Sequence, residues 1–372
     1  MGSPAVPYLP PLFKQFERLG DTLSFRAAGT FPTPVHRLAG LCATTGNRSL
    51  FIKNDDVSGP LYGGNKVRKL EFLLADALRK GAVRVITSGA AGSNHALATA
   101  IYAQQAGLRT TLILFDQPAS RAVCNNLLMD LHTGAEMIYE ERYERYETAL
   151  RKLQDHYLRI EGRPPYVIPA GGSSPVGVLG YVNAAFELRS QIENNLLPEP
   201  EAIYVPMGTM GTVAGLALGL REAGMKSRIH AVRVISAAVA NREKCGALIN
   251  ETGRLLSQVG ASVTEAVKSV VIEGGFFEPG YGRASPCVTD AVRTGLELDG
   301  LELDITYSGK AFAAFLSAAR NKKRTGPLLF WDTKNSRPFP RNALTRDYRD
   351  LPKPFHRFFL ETSGVPGEYG RG

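Results

Sequence analysis

Cysteine is scarce in this chain, with four in 372 residues. Cys42, Cys124, Cys245 and Cys287 lie far apart and form no CxxC pair, so neither a disulfide framework nor a zinc site has the spacing it needs, and reduced, buried thiols are expected. Also missing is any apolar run of the ~20 residues that a bilayer-spanning helix requires. The opening residues soon bring Lys14, Glu17 and Arg18 and hold no apolar stretch of signal-peptide length. No membrane role and a cytoplasmic location are therefore expected. No internal repeat or low-complexity tract interrupts the sequence. Net charge is +9, yet the basic residues are spread along the chain without zinc-finger spacing or an aromatic-interleaved basic stretch, which argues against a nucleic-acid partner. An anionic cofactor or substrate accounts for part of that excess as well. No strand leads into G-x-G-x-x-G with an acidic residue about twenty positions on, and no Gly-rich turn is followed by a Walker lysine, so dinucleotide-dependent dehydrogenases and nucleotide triphosphatases lose their signatures.

What is present is an ordinary globular composition, 44% hydrophobic and 21% charged, on a chain long enough for about two domains. Short β-rich apolar runs at 49–53, 83–87, 109–115, 166–168, 202–206, 229–235, 270–273 and 328–331 read as strands. Between them, 67–80, 94–105, 143–160, 176–193 and 212–222 place small and apolar residues at three- and four-residue spacing, as core-facing helices do. The alternation predicts an α/β protein on mostly parallel sheet. Turn-rich stretches at 161–165 and 194–200 are candidate linkers. The segment 336–372 is rich in Pro, Arg and aromatics without clear period, and reads as a surface wrap or oligomer arm.

Three stretches carry chemistry. In Gly59-Pro-Leu-Tyr-Gly-Gly-Asn-Lys-Val-Arg-Lys-Leu-Glu71, glycines deliver Lys66 to the start of an amphipathic helix. Backbone freedom at Gly63 and Gly64 permits close approach to a bound ring, and burial with the charges of Arg68 or Lys69 would lower the Lys66 pKa toward a free, nucleophilic amine. A solvated basic first turn is the alternative. In Thr87-Ser-Gly-Ala-Ala-Gly-Ser-Asn-His95, Ser93 or Asn94 would cap a helix in any protein, but three polar side chains at the carboxyl end of a strand also lie where open α/β sheets bind ligands. His95 alone reads equally as a structural histidine. In Ile203-Tyr-Val-Pro-Met-Gly-Thr-Met-Gly-Thr-Val-Ala-Gly215, backbone N–H groups, a helix N-terminus and threonine hydroxyls make a phosphate cradle, or only a tight strand-to-helix turn. A fourth stretch, Pro169-Ala-Gly-Gly-Ser-Ser-Pro-Val-Gly177, either supplies further backbone donors or is a loop with a proline opening the next helix, and the loop is preferred.

Taken in order, Gly63-Gly-Asn-Lys-Val-Arg-Lys-Leu-Glu71, Gly92-Ser-Asn-His95, Ala170-Gly-Gly-Ser173 and Gly208-Thr-Met-Gly-Thr212 resemble the D-cysteine desulfhydrase and 1-aminocyclopropane-1-carboxylate deaminase family of pyridoxal-phosphate enzymes. Glu278-Pro-Gly-Tyr-Gly282 and Asp304-Ile-Thr-Tyr-Ser-Gly-Lys-Ala311 extend the likeness, which runs from about Phe31 to Thr333. The resemblance implies a two-domain tryptophan synthase β-like fold, with 1–66 and 175–335 forming a larger cofactor-binding domain, 67–174 a smaller α/β domain and 336–372 a tail. It implies pyridoxal 5'-phosphate held by Lys66, which also shuttles the α-proton. Asn94 would hydrogen-bond the phenolic oxygen. The loop of Gly208, Thr209, Met210, Gly211 and Thr212 would hold the phosphate with Lys69 nearby, while Ser93 and His95 face the substrate and Tyr281 and Tyr307 cover the reacting carbons. A small amino-acid substrate and a homodimer follow from the same likeness.

Two positions separate the family's activities. Ring-opening deaminases carry glutamate after the tyrosine matched by Tyr307 and desulfhydrases a threonine. Here Ser308 stands, a hydroxyl compatible with a neutral pyridine nitrogen, which favours elimination of a good β-leaving group over ring opening. Desulfhydrases also carry His-Thr-Gly-Gly after the last strand, where this chain has Asp332, Thr333, Lys334 and Asn335. Thr333 keeps a cofactor edge. Lys334 would favour a charged β-substituent or lie on the surface. The expected activity is β-elimination from D-cysteine or a close analogue, giving a 2-oxo acid and ammonia. β-Replacement, ring-opening deamination and a catalytically silent cofactor-binding protein are the alternatives.

Overall fold

A computed structural model describes residues 9–256 and 263–362. Residues 1–8, the start of the stretch read above for a signal segment, and 363–372, the final part of the expected tail, lie outside the described residues. The chain forms two compact units, one running to Asp76 and resuming from Gly172 to Arg337, the other comprising Ala77–Gly171 and the chain from Pro338 onward.

The first unit is built on a six-stranded sheet. Its strands are β1 (Val35–Arg37), β2 (Leu50–Asn54), β7 (Ala202–Met207), β8 (Arg228–Arg233), β9 (Val270–Glu273) and β10 (Leu328–Asp332), in the order β1-β2-β10-β7-β8-β9. Only β1 runs antiparallel to its neighbour. All six residues of β7 and all five of β10 are buried, as a parallel sheet covered on both faces requires. Alternate residues serve opposite cores: Ile203, Val205, Leu329 and Trp331 join one apolar cluster, and Tyr204, Leu328 and Phe330 the other.

The second unit carries β3 (Arg84–Ala90), β4 (Arg109–Phe115), β5 (Glu136–Glu140) and β6 (Tyr166–Ile168), all parallel in the order β5-β4-β3-β6. Leu112 and Leu114 pack on one side of it and Ile113 with Ile86 on the other. Leu351, Phe355 and Phe358, from the stretch expected as a tail, are buried in the first of these clusters. Cys42, Cys124 and Cys245 are buried free thiols, as expected, whereas Cys287 is exposed. Among the described residues no helix is long and apolar enough to cross a membrane, and no group of three or more His, Cys, Asp or Glu is placed to hold a metal ion.

Six helices matter below: α1 (Lys66–Arg79), α2 (Asn94–Gln105), α3 (Arg121–His132), α4 (Pro175–Glu193), α5 (Gly211–Glu222) and α6 (Ser308–Ala319). Helices α2 and α5 directly follow β3 and β7 of their own units, so each N-terminus lies at the carboxyl end of its strand.

Candidate active site

In the first unit, Lys66 is the first residue of α1. The preceding loop is held from several sides. Gly64, at φ +84, donates its N–H to the Asp55 carbonyl at 2.7 Å, and the Asn65 N–H reaches the Thr333 carbonyl at 3.2 Å. A Cβ on Gly63 would fall 1.8 Å from the Asp56 carbonyl oxygen, so only glycine fits there. The Gly63 N–H donates to Asn335 Oδ1 at 2.6 Å. Lys66 Nζ donates to Asn65 Oδ1 at 2.8 Å, and Asn65 Nδ2 donates to Thr212 Oγ1 at 3.0 Å. Burial pulls the Lys66 amine down to about 8, with the Asp304 carboxylate opposing.

Arg68 does not contribute to that shift as expected from the sequence, because its guanidinium is spent elsewhere. It is buried and donates to both oxygens of Asp55 and of Glu187, which also pairs with Lys53. Tyr181 and Trp331 donate to the same Asp55 carboxylate at 2.5 and 2.8 Å. Burial works to raise Glu187, but Arg68 and Lys53 outweigh it and hold the carboxyl at about 2. This charged knot ties α1 to β2, α4 and β10 beneath the lysine loop.

One turn along α1, Lys69 is buried, and burial followed by the Lys66 charge pushes its pKa well down. Its Nζ lies 3.5 Å from Ser173 Oγ. That hydroxyl also bonds Thr209 Oγ1 at 2.8 Å and accepts the Gly211 N–H at 3.2 Å. Helix α5 begins here behind Met210 in the left-handed region, at φ 64, with no side-chain cap. A Cβ on Gly211 would come 2.5 Å from Ser173 Oγ and 2.7 Å from Lys69 Nζ. A helix N-terminus that takes no cap from Met210, a buried lysine amine and three hydroxyls form a donor set suited to a phosphate monoester. The residues therefore fit pyridoxal phosphate, with Lys66 for its aldehyde and Gly208–Thr212, Lys69 and Ser173 for its phosphate.

The same unit pairs Tyr281 and Tyr307 through their hydroxyls at 2.5 Å, the rings 5.8 Å apart and edge to face. Burial raises both phenols, Tyr307 furthest, so both stay neutral near pH 7. Ser308 is buried and its hydroxyl is committed: it donates to Asp304 Oδ2 at 2.6 Å and accepts the Asp304 N–H at 2.9 Å. Asp332 is buried, and burial followed by the nearby Asp56 pushes its carboxyl well above the usual carboxylate range. Lys334 Nζ donates to the Glu302 carbonyl at 3.0 Å and lies 3.8 Å from that carboxylate.

In the second unit, Ser93 caps α2 by accepting the Ala96 N–H at 3.2 Å, and Asn94 Oδ1 accepts from Asn126 Nδ2 at 3.0 Å. His95 is buried, with Nε2 3.0 Å from Thr87 Oγ1. Thr87 donates its own proton to the Ile168 carbonyl, so His95 Nε2 is the donor in that pair. Sequence reasoning missed Ser173, Asn65, Asp304 and Asn335. The Ser173 signal is its Gly-Gly-Ser stretch, which also reads as a loop.

A family model for pyridoxal-phosphate-dependent enzymes matches residues 27–329, and the chain belongs to that family. Its α/β fold is the tryptophan synthase β-like fold expected, and pyridoxal phosphate is the family's cofactor. The chain is 36% identical, over 312 residues, to D-cysteine desulfhydrase of Klebsiella pneumoniae subsp. pneumoniae, covering 81% of this chain and 91% of that protein. The D-cysteine desulfhydrase of Salmonella schwarzengrund matches at 36% identity with the same coverage. Among solved structures, an ACC deaminase homologue superposes with a TM-score of 0.75 at 32% identity, covering 88% of this chain and 95% of its own.

Proposed function

We propose that this chain is a carbon–sulfur lyase that converts D-cysteine or a close analogue, with water, into a 2-oxo acid, ammonia and the β-leaving group. The observation that carries the reading is Lys66: an amine brought to about 8 at the head of α1, in the same unit as the Lys69, Ser173, Thr209 and Gly211 anion cradle. The relatives named above support the substrate class. Pyridoxal phosphate, when bound, supplies an electron sink for the pair left at the α-carbon once its proton is removed. Lys66 Nζ would hold the cofactor, and its free amine, once no longer bonded to it, would take that proton. Tyr281 and Tyr307 share one hydrogen bond, so one phenolic proton is left to present to a departing thiolate. Ser308 Oγ, its proton given to Asp304, acts toward any ligand only as an acceptor. Asn94, Ser93 and His95 of the second unit keep the roles the resemblance implies. The first unit is the cofactor-binding one in this reading, and a cytoplasmic homodimer completes it on the strength of the same resemblance.

Ring-opening deamination is the second reading, favoured by the likeness to the ACC deaminase homologue. Pyruvate, sulfide and ammonia release from D-cysteine, set against 2-oxobutanoate and ammonia release from 1-aminocyclopropane-1-carboxylate, decides between them. The lyase is expected to use the first substrate at least about a hundredfold better, the scale of a mismatched transition state. Lys66→Ala is expected to fold, to lack the visible band of lysine-bound cofactor and to turn over neither substrate. Efficient ring opening by the wild type, or turnover by Lys66→Ala, would overturn the assignment.

A further inference from the structure

Lys310, in the first turn of α6, is fully buried with 0% exposure, and nothing in the proposed chemistry uses it. Its ammonium donates to the carbonyls of Phe277 and Gly280, 2.7 Å in each case, and lies 5.2 Å from the centre of the Phe277 ring. Those two carbonyls are the ends of one tight turn, closed by the Gly280 N–H on the Phe277 carbonyl at 3.1 Å. Gly280 adopts φ +137, a conformation open to glycine and rarely to other residues. The outer side of the turn, Glu278 and Pro279, is exposed. The residue that follows the turn is Tyr281.

Tyr307, the partner of that phenol, is the residue immediately before α6, three positions ahead of Lys310. Its own backbone is fixed from the same helix end, the Tyr307 N–H donating to Asp304 Oδ1 at 2.6 Å. One helix N-terminus therefore anchors both phenols, Tyr307 through Asp304 and Tyr281 through Lys310. Hydrogen bonds from a charged donor are the stronger kind, and a buried ammonium is retained only where its donors are used. We propose that Lys310 is a positioning residue which, by gripping the 277–280 turn, sets the Tyr281 hydroxyl against Tyr307 and so aims the proton that the pair presents to the substrate. The aiming role rests on the lyase reading; the placement of the phenols does not.

The test uses the full-length holoenzyme labelled with 3-fluorotyrosine, the resonances of positions 281 and 307 being assigned by their loss in Tyr281→Phe and Tyr307→Phe. Lys310→Met keeps the side-chain length and removes the donors, while Lys310→Arg keeps donors. In Lys310→Met both resonances are expected to shift and kcat on D-cysteine to fall about a hundredfold, the cost of an ångström-scale misplacement. Its KM and its cofactor absorption band should stay within about twofold of wild type, a split that a general loss of structure would not give. Lys310→Arg should recover most of both the shift and the rate. If Lys310→Met does not fold, Lys310→Gln takes its place in the same comparison. Resonances that stay put in the donor-deleted protein overturn the proposal. Resonances that move in a protein without lyase activity uphold the placement and overturn the lyase reading instead.

Discussion

A lysine whose pKa is about 8 carries a free amine in about a tenth of molecules at pH 7, against roughly one in three thousand for an ordinary lysine. The sign of the pH effect follows. Capture of pyridoxal phosphate by the apoprotein needs the unprotonated Nζ, so its rate is expected to climb about tenfold per unit below pH 8 and to level off above it. Stopped-flow absorbance after mixing apoprotein with the cofactor measures this, and a rate still climbing at pH 10 would show that burial does not tune this amine. Lys66 was legible in the sequence because glycines and a following amphipathic helix surround it. Ser173 and Asp304 were not, because what they do depends on partners distant in sequence or on a helix cap: Ser173 meets Gly211 across the fold, and Asp304 takes three backbone N–H groups and the Ser308 hydroxyl. The Ser308 hydroxyl gives its proton to Asp304, which no spacing rule reveals.

At the scale of elements, the lysine helix is located by close packing. A Cβ on Gly180 of α4 would come 2.2 Å from the Arg68 carbonyl oxygen and 2.8 Å from the Lys69 nitrogen. Backbone atoms cannot swing aside, so α1 would have to move as a body. Gly180→Ala is therefore expected to cost about 1–3 kcal/mol of stability, the usual scale of overpacking, and to weaken cofactor retention because Lys66 and Lys69 ride on α1. Urea denaturation of the apoprotein and a cofactor titration read the two effects, and an unchanged dissociation constant would show that α1 absorbs the methyl without moving its lysines. The central strands were legible because both their faces are apolar. Strands β1 and β5 were missed because each closes an edge of its sheet, is only partly buried and mixes charged residues into a short run, which blurs the period-two signal. Helix α3 escaped for a related reason: Asn126 and Asp130 are buried within it and break the apolar stripe that marks a core-facing helix.

For the whole molecule, the parallel alternation made the α/β class readable, while the contribution of the last residues to the second unit was not, since Leu351, Phe355 and Phe358 stand among Pro and Arg with no period to flag them. Those residues and β10 share a property that concerns time rather than space. Strand β10 sits between β2 and β7, some 270 residues after one and 120 after the other along the chain. A ribosome making this protein from the N-terminus therefore exposes β2 and β7 long before the strand that joins them exists, and their unpaired edges are open to wrong partners meanwhile. The second unit waits longer still for its closing aromatics. Biogenesis should accordingly be a single late event: nascent chains stalled with 327 residues clear of the exit tunnel are expected to be protease-sensitive throughout, and those with 362 clear to be resistant. Early resistance of the 84–168 region would show that the second unit folds without its final helix. If the late event holds, the interval between the emergence of β7 and that of β10 is the stretch of synthesis in which a holdase chaperone has most to protect.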